Sequence, residues 1–129
     1  MAPRLLLVDD EPELAKALAV RFTASGFVCE IAANGEEALG CIQRCRPDAL
    51  VVDLLMPVMD GYELCRRLKA DRATAGIPVI VLTAVPQRLL EPRLEELGAV
   101  RVLHKPFDSS ELLSAVRSAL SGAGGPVDG

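Results

Sequence analysis

Three aspartates, a threonine and a lysine stand out because each sits where a short apolar run ends. Asp9 and Asp10 follow Leu5 to Val8, Asp53 follows Ala49 to Val52, Thr83 follows Val79 to Leu82, and Lys105 lies just past Val100 to Leu103. If those runs are parallel strands of one sheet, all five side chains gather on one rim. Three carboxylates in one crevice repel one another unless positive charge sits among them. A hard divalent cation meets that need, and oxygen-only ligands, with one or two carboxylates plus water and phosphate, describe magnesium rather than zinc or a closed calcium cage. Lys105 brings a mobile point charge suited to a phosphoryl oxygen, and Thr83 brings a hydroxyl donor. Taken singly, each is an ordinary residue for a strand end; the signal is the constellation.

The elements that must position these groups are legible in the apolar pattern. With Val28 to Ala32 there are five short runs, nearly continuous rather than alternating, as in strands covered on both faces. Helical spacing lies between them: Leu14, Leu18 and Phe22; Ala38, Ile42 and Cys45; Leu64 and Leu68; Leu112, Leu113, Val116 and Leu120. Pro12 suits a first helical turn, Gly26 a helix end, Asn34-Gly35 a helix entry, Pro47 a stop and Asp108-Ser109 an N-cap. Pro86 and Pro92 interrupt the place of a fourth helix. A proline costs about 3 kcal/mol in a helix interior and little at its first turn, so that helix is expected to start near Glu91 or Pro92 and to carry Leu94 and Leu97. The alternation predicts an α/β fold, a doubly wound five-stranded parallel sheet of order 2-1-3-4-5, flavodoxin-like, with its ligand at the carboxyl ends of strands 1 and 3.

Composition narrows the chemistry further. The 129 residues suit one domain, and 50% hydrophobic against 3% aromatic residues predicts a core of Leu, Val, Ala and Ile. A net charge of -4 and only Phe22, Phe27, Tyr62 and Phe107 as aromatics argue against direct nucleic-acid binding. No apolar run approaches the roughly 20 residues that cross a bilayer, so a soluble cytoplasmic protein is expected. Cys29, Cys41, Cys45 and Cys65 form no CxxC pair and read as reduced thiols acting as buried or half-buried filler. The loop Asp9-Asp10-Glu11-Pro12-Glu13 would repel the phosphates of a flavin or dinucleotide. There is no GxxxxGK[ST] or GxSxG motif, and His104 is the single histidine, so a hydrolytic triad has no parts.

Four stretches in order, Leu6-Leu7-Val8-Asp9-Asp10-Glu11-Pro12, Val51-Val52-Asp53-Leu54-Leu55-Met56-Pro57-Val58-Met59-Asp60-Gly61, Val81-Leu82-Thr83-Ala84 and Lys105-Pro106-Phe107, resemble the receiver domain of bacterial two-component response regulators. The likeness runs from about Arg4 to Leu120. It implies a phosphorylation-activated switch of a phosphorelay, with Asp53 as phospho-acceptor from a sensor histidine kinase or a histidine phosphotransfer protein. It further implies Mg²⁺ bound by Asp10, Asp53 and the main-chain carbonyl of Leu55, with Asp9 acting mostly through water. Lys105 would hold the phosphoryl group, Thr83 would move toward it, and the Thr83 to Gly98 surface would change. The Lys105-Pro106 bond is expected to be cis. Such a domain catalyses only its own phosphorylation and dephosphorylation and is not otherwise an enzyme. Residues 1–120 would be the receiver domain and 121–129 a flexible Gly-rich tail or the start of a linker, the output resting with an unknown partner or a missing C-terminal domain.

Two departures matter. Three residues before Lys105 the family commonly has an aromatic ring that reports the switch, and here stands Val102, so the signal must pass through strand 4, the Thr83 loop or the Pro-interrupted helix. Regulators with winged-helix DNA-binding domains usually place two acids just before that ring; Val100 and Arg101 stand here, which argues against their dimer mode and output. An aspartyl-phosphate hydrolase would need an acid two residues beyond the nucleophile, where Leu55 stands. A phosphorylation-independent pseudo-receiver scaffold is at odds with the intact Asp10, Asp53, Thr83 and Lys105.

Overall fold

The computed structural model describes residues 2–122. Five parallel strands, β1 (Arg4–Val8), β2 (Val28–Ala32), β3 (Ala49–Asp53), β4 (Val79–Thr83) and β5 (Arg101–His104), form one sheet of order β2-β1-β3-β4-β5. The expected doubly wound order is therefore the observed one. Side chains alternate across it. Leu5, Leu7, Val51, Ile80 and Leu82 face a layer made by α1 (Pro12–Ala24) and α6 (Ser109–Leu120), where Leu18, Phe22, Leu112 and Val116 are buried. Leu6, Val8, Leu50, Val52, Val79 and Val81 face α2 (Gly35–Arg44) and α3 (Gly61–Ala70), with Ala38, Ile42, Leu64 and Leu68 in that layer. Both faces of the three inner strands are dry, which is why their sequences lack alternation.

The edges behave otherwise. In β2, Val28 and Ile31 are exposed, and in β5 Arg101 and His104 face solvent. Burial on both faces therefore holds for β1, β3 and β4 alone, because an edge strand has a neighbour on one side and less helix above it. Strand ends also shift: Asp53 and Thr83 are the last residues of β3 and β4 rather than the residues after them, and β5 runs one residue later than the apolar run suggests.

Helix ends follow the cap chemistry. Asn34, Asp60 and Asp108 accept hydrogen bonds from Glu37, Glu63 and Ser110 backbone N–H groups at the starts of α2, α3 and α6. α2 ends at Arg44, and Cys45 follows in extended backbone with its side chain exposed, so Cys41 rather than Cys45 completes the buried face. The other thiols are half-buried or buried, and burial pushes the Cys65 thiol up to about 11.

The fourth crossover departs most from expectation. α4 (Gln87–Leu90) begins directly after Pro86 and not near Glu91, because Pro86 is extended and serves as the N-cap (φ -60, ψ 145). Pro92 then falls in a 3₁₀ turn (Glu91–Arg93), which leads into α5 (Leu94–Leu97). Splitting the segment puts Pro86 at an N-cap and Pro92 in a first turn, where a missing N–H costs little. Leu90 joins Leu97 in the core, while Leu94 is 36% exposed. Among the described residues no helix is long and apolar enough to cross a membrane. Most of the proposed tail, from residue 123 on, lies outside the described residues.

Candidate functional site

The carboxyl ends of parallel strands share one edge, and register brings the acids together. Val8 pairs with Val52, so Asp9 and Asp53 come next on neighbouring strands. Carboxylate oxygens of Asp9, Asp10 and Asp53 all lie within 4.8 Å of one another. Asp9 and Asp53 are buried, at 5% and 7% exposure, while Asp10 faces solvent. Lys105 reaches over from the end of β5 and places Nζ 3.3 Å from Asp9 Oδ2, 3.3 Å from Asp53 Oδ2 and 2.9 Å from Glu11 Oε1. Three carboxylates thus face one ammonium, with Asp10 a fourth acid beside them, which leaves the rim strongly electronegative.

The backbone around the acids is arranged with equal care. Asp9 Oδ1 accepts from Glu11 N–H at 2.9 Å, and Asp53 Oδ1 accepts from Leu55 N–H at 3.3 Å. Burial pushes the Asp9 carboxyl above its ordinary value, against the lowering effects of that backbone donor and of Lys105. For Lys105, burial works against the ammonium but is outweighed by the hydrogen bond to Glu11 and by the charges of Asp53 and Asp9, so its pKa is raised. Thr83 is fully buried, and its Oγ1 accepts from Val85 N–H at 3.0 Å. Lys105 N–H donates to Thr83 O at 2.8 Å, which ties the lysine loop to β4, and the Lys105-Pro106 bond is cis.

Every residue singled out in the sequence, Asp9, Asp10, Asp53, Leu55, Thr83 and Lys105, therefore lies at this rim. Two features escaped the sequence. One is Glu11, whose carboxylate makes the shortest of the three Lys105 contacts. Its place beside Asp9 and Asp10 in an acidic loop was the available signal. The other is the turn at Val58, where φ is 70 and Met59 N–H donates to Pro57 O at 2.8 Å. Three-residue turns of this hand are rare and strained for a β-branched residue. Met59 O in turn accepts from Gly35 N–H at 2.9 Å, which docks the start of α2 on this loop.

The donor set fits a hard divalent cation: oxygen ligands only, three carboxylates in mutual reach, and too little positive charge to balance them. A strand-end acid cluster of this kind on a 2-1-3-4-5 sheet, with a buried threonine and a paired lysine, would repel the phosphates that a nucleotide cradle must hold. A profile of the response regulator receiver domain matches residues 5–117, and the chain belongs to that family. Among its relatives, the DNA-binding response regulator MtrA of Mycolicibacterium smegmatis is 37% identical over 120 residues, which are 93% of this chain and 51% of MtrA. The chain spans about half the length of the curated relatives it matches. The signal receiver domain of a signal transduction histidine kinase from Syntrophus aciditrophicus superposes with a TM-score of 0.89 at 39% identity, covering 94% of this chain and 92% of that one. The receiver domain of the sensor histidine kinase PA1611 from Pseudomonas aeruginosa, solved with magnesium in its active-site cleft, has a TM-score of 0.85 at 27% identity, covering 94% of this chain and 99% of that one. The chain is thus a receiver domain of the two-component signalling type.

Proposed function

We propose that Asp53 is the phospho-acceptor of this switch, taking its phosphoryl group from a phosphohistidine on a sensor histidine kinase or a histidine phosphotransfer protein. The carboxylate oxygen attacks phosphorus, an O–P bond forms as the P–N bond breaks, and the imidazole leaves. The observation that carries this reading is Asp53 itself: a buried carboxylate at a strand end, 3.3 Å from an ammonium and within reach of two more acids. Asp10, Asp53 and the Leu55 carbonyl would hold Mg²⁺, with Asp9 acting through water. Bound there, the ion offsets the charge that gathers on the transferring group. Lys105 takes a phosphoryl oxygen once Asp53 carries the acyl phosphate. Thr83 Oγ1, now held by Val85 N–H, turns to the same group and releases the Val85 loop, so the surface from Thr83 to Gly98 changes.

On this reading the domain turns over no substrate but its own aspartyl phosphate and works in the cytoplasm of a bacterium. Residues 1–120 form the receiver unit and 121–129 a tail or linker. Output rests with a partner or with a C-terminal domain, a reading supported by the DNA-binding relatives being about twice as long as this chain, and the receiver itself makes no contact with nucleic acid or membrane. Intact-mass analysis after acetyl phosphate treatment tests the acceptor. One added phosphate is expected with MgCl₂ and none with a chelator; the same adduct in Asp53→Asn would falsify the assignment.

A further inference from the structure

Lys105 has three donors, and each finds a carboxylate. Asp9 and Asp53 belong to the trio whose oxygens gather within 4.8 Å, whereas Glu11 stands outside it. The Lys105 side chain is 17% exposed and that of Glu11 61%, so the ammonium is bridged from the buried acids to the mouth of the crevice. Glu11 is also held from behind: its N–H donates to Asp9 Oδ1, its backbone is extended (φ -93, ψ 99), and Pro12 opens α1 immediately after it. The stem is therefore fixed at the helix entry while its carboxylate reaches back over the rim.

A cation entering the crevice takes oxygens from the same carboxylates that now hold Lys105. Stripping a largely buried ammonium of its partners is costly, and Glu11 is the one partner that does not have to be given up. We propose that Glu11 is a positioning residue that seats Lys105 at the crevice mouth and so frees Asp9 and Asp53 for the divalent cation and the phosphoryl group. The inference rests on the reading of this rim as a magnesium and phosphoryl site. Without Glu11, Lys105 leans on Asp9 and Asp53 alone and competes with the cation for their oxygens.

The test is a Mg²⁺ titration of the full chain, free of phosphate, followed by the amide resonances of residues 9–11 and 53–55. Glu11→Gln should weaken Mg²⁺ by about fivefold, equal to about 1 kcal/mol. Glu11→Asp, which keeps the charge but shortens the reach, should weaken it about threefold. Glu13→Gln is the charge control: Glu13 is exposed and is not one of the three carboxylates within ion-pair reach of Lys105 among the described residues, and its loss should change binding by less than about twofold. In a Lys105→Met background the Glu11→Gln effect should shrink to that of Glu13→Gln. Equal effects of Glu11→Gln and Glu13→Gln in the native background, or a Glu11→Asp variant that binds like wild type, would overturn the assignment. A wild-type protein whose rim resonances ignore Mg²⁺ would overturn the magnesium reading itself, and the role of Glu11 with it.

Discussion

The rim carried by β1 and β3 and the segment that follows β4 flank the same crevice, yet they are held in opposite ways. Behind the rim, Leu5 to Val8 and Ala49 to Leu54 are buried, and α3 is pinned to the end of β3 by Gly61 N–H donating to Leu54 O at 2.9 Å. The segment from Ala84 to Val100 has two four-residue helices and a 3₁₀ turn, and Leu90 and Leu97 are its two fully buried side chains. Its ties are at the surface: His104 Nε2 lies 2.7 Å from Gln87 Oε1, and the Arg93 guanidinium sits 3.6 Å over the Tyr62 ring. Solvent-exposed bonds of this kind contribute little each, about 1 kcal/mol or less. A rigid acid pocket beside a weakly anchored segment is what a switch needs, since a chemical change at the first can be answered only by something free to move.

The comparison is sharpest at two glycines. A Cβ on Gly61 would overlap the Asp53 carbonyl oxygen and lie 2.7 Å from Leu54 Cα, so backbone must shift. On Gly98 the obstacle is the end of the Lys69 side chain, which can swing away, leaving only the left-handed backbone at φ 59. Gly61→Ala should therefore lose about 3 kcal/mol or fail to fold, and Gly98→Ala about 1 kcal/mol, by urea denaturation. Equal losses would mean that the two regions are equally rigid.

Next in size is the response to activation. Val102 offers no ring to turn, so the response should appear in residues 84–98 as amide exchange altered about tenfold, or about 1.4 kcal/mol, when beryllofluoride is added with Mg²⁺. β1 and β3 should not respond. Changes centred on residues 100–103, with none across 85–97, would reverse the comparison.

The smallest effect belongs to the pocket. Burial raises the Asp9 pKa, so the ionised carboxylate lowers stability at neutral pH, and that loss fades as pH falls through its raised pKa. Asp9→Asn keeps an oxygen for Glu11 N–H and should stabilise the metal-free fold by about 1 kcal/mol near pH 7, a gain that vanishes in acid. Thermal melts at both pH values check it; a variant less stable than wild type at pH 7 would show Asp9 to be a net support of the pocket.

Sheet order and the pocket acids were legible because each rests on a local pattern. Apolar runs mark strands covered on both faces, and a polar residue at the end of such a run has only the rim to occupy. The split crossover was less legible. Pro86 and Pro92 announced a break, but which side of each proline is helical depends on where Leu90 and Leu97 find the core. Cys45 and Leu94 fit a helical spacing and are nevertheless exposed, because α2 stops at Arg44 and α5 is a single turn.

By itself, the sequence determined the α/β class, the strand order, the five polar residues at the strand ends and the caps at Asn34 and Asp108, whereas the cap at Asp60 came from the structure. Each follows from spacing or from a side chain bonding its own backbone. Only the tertiary structure decided that Glu11 shares Lys105 with Asp9 and Asp53, that Thr83 Oγ1 is held by Val85 N–H, and that Val58 adopts a left-handed turn. Glu11 and Lys105 stand 94 positions apart along the chain, and no local rule says which of several acids a lysine will reach. That choice is made by strand register and by the competition of all the charges for one crevice.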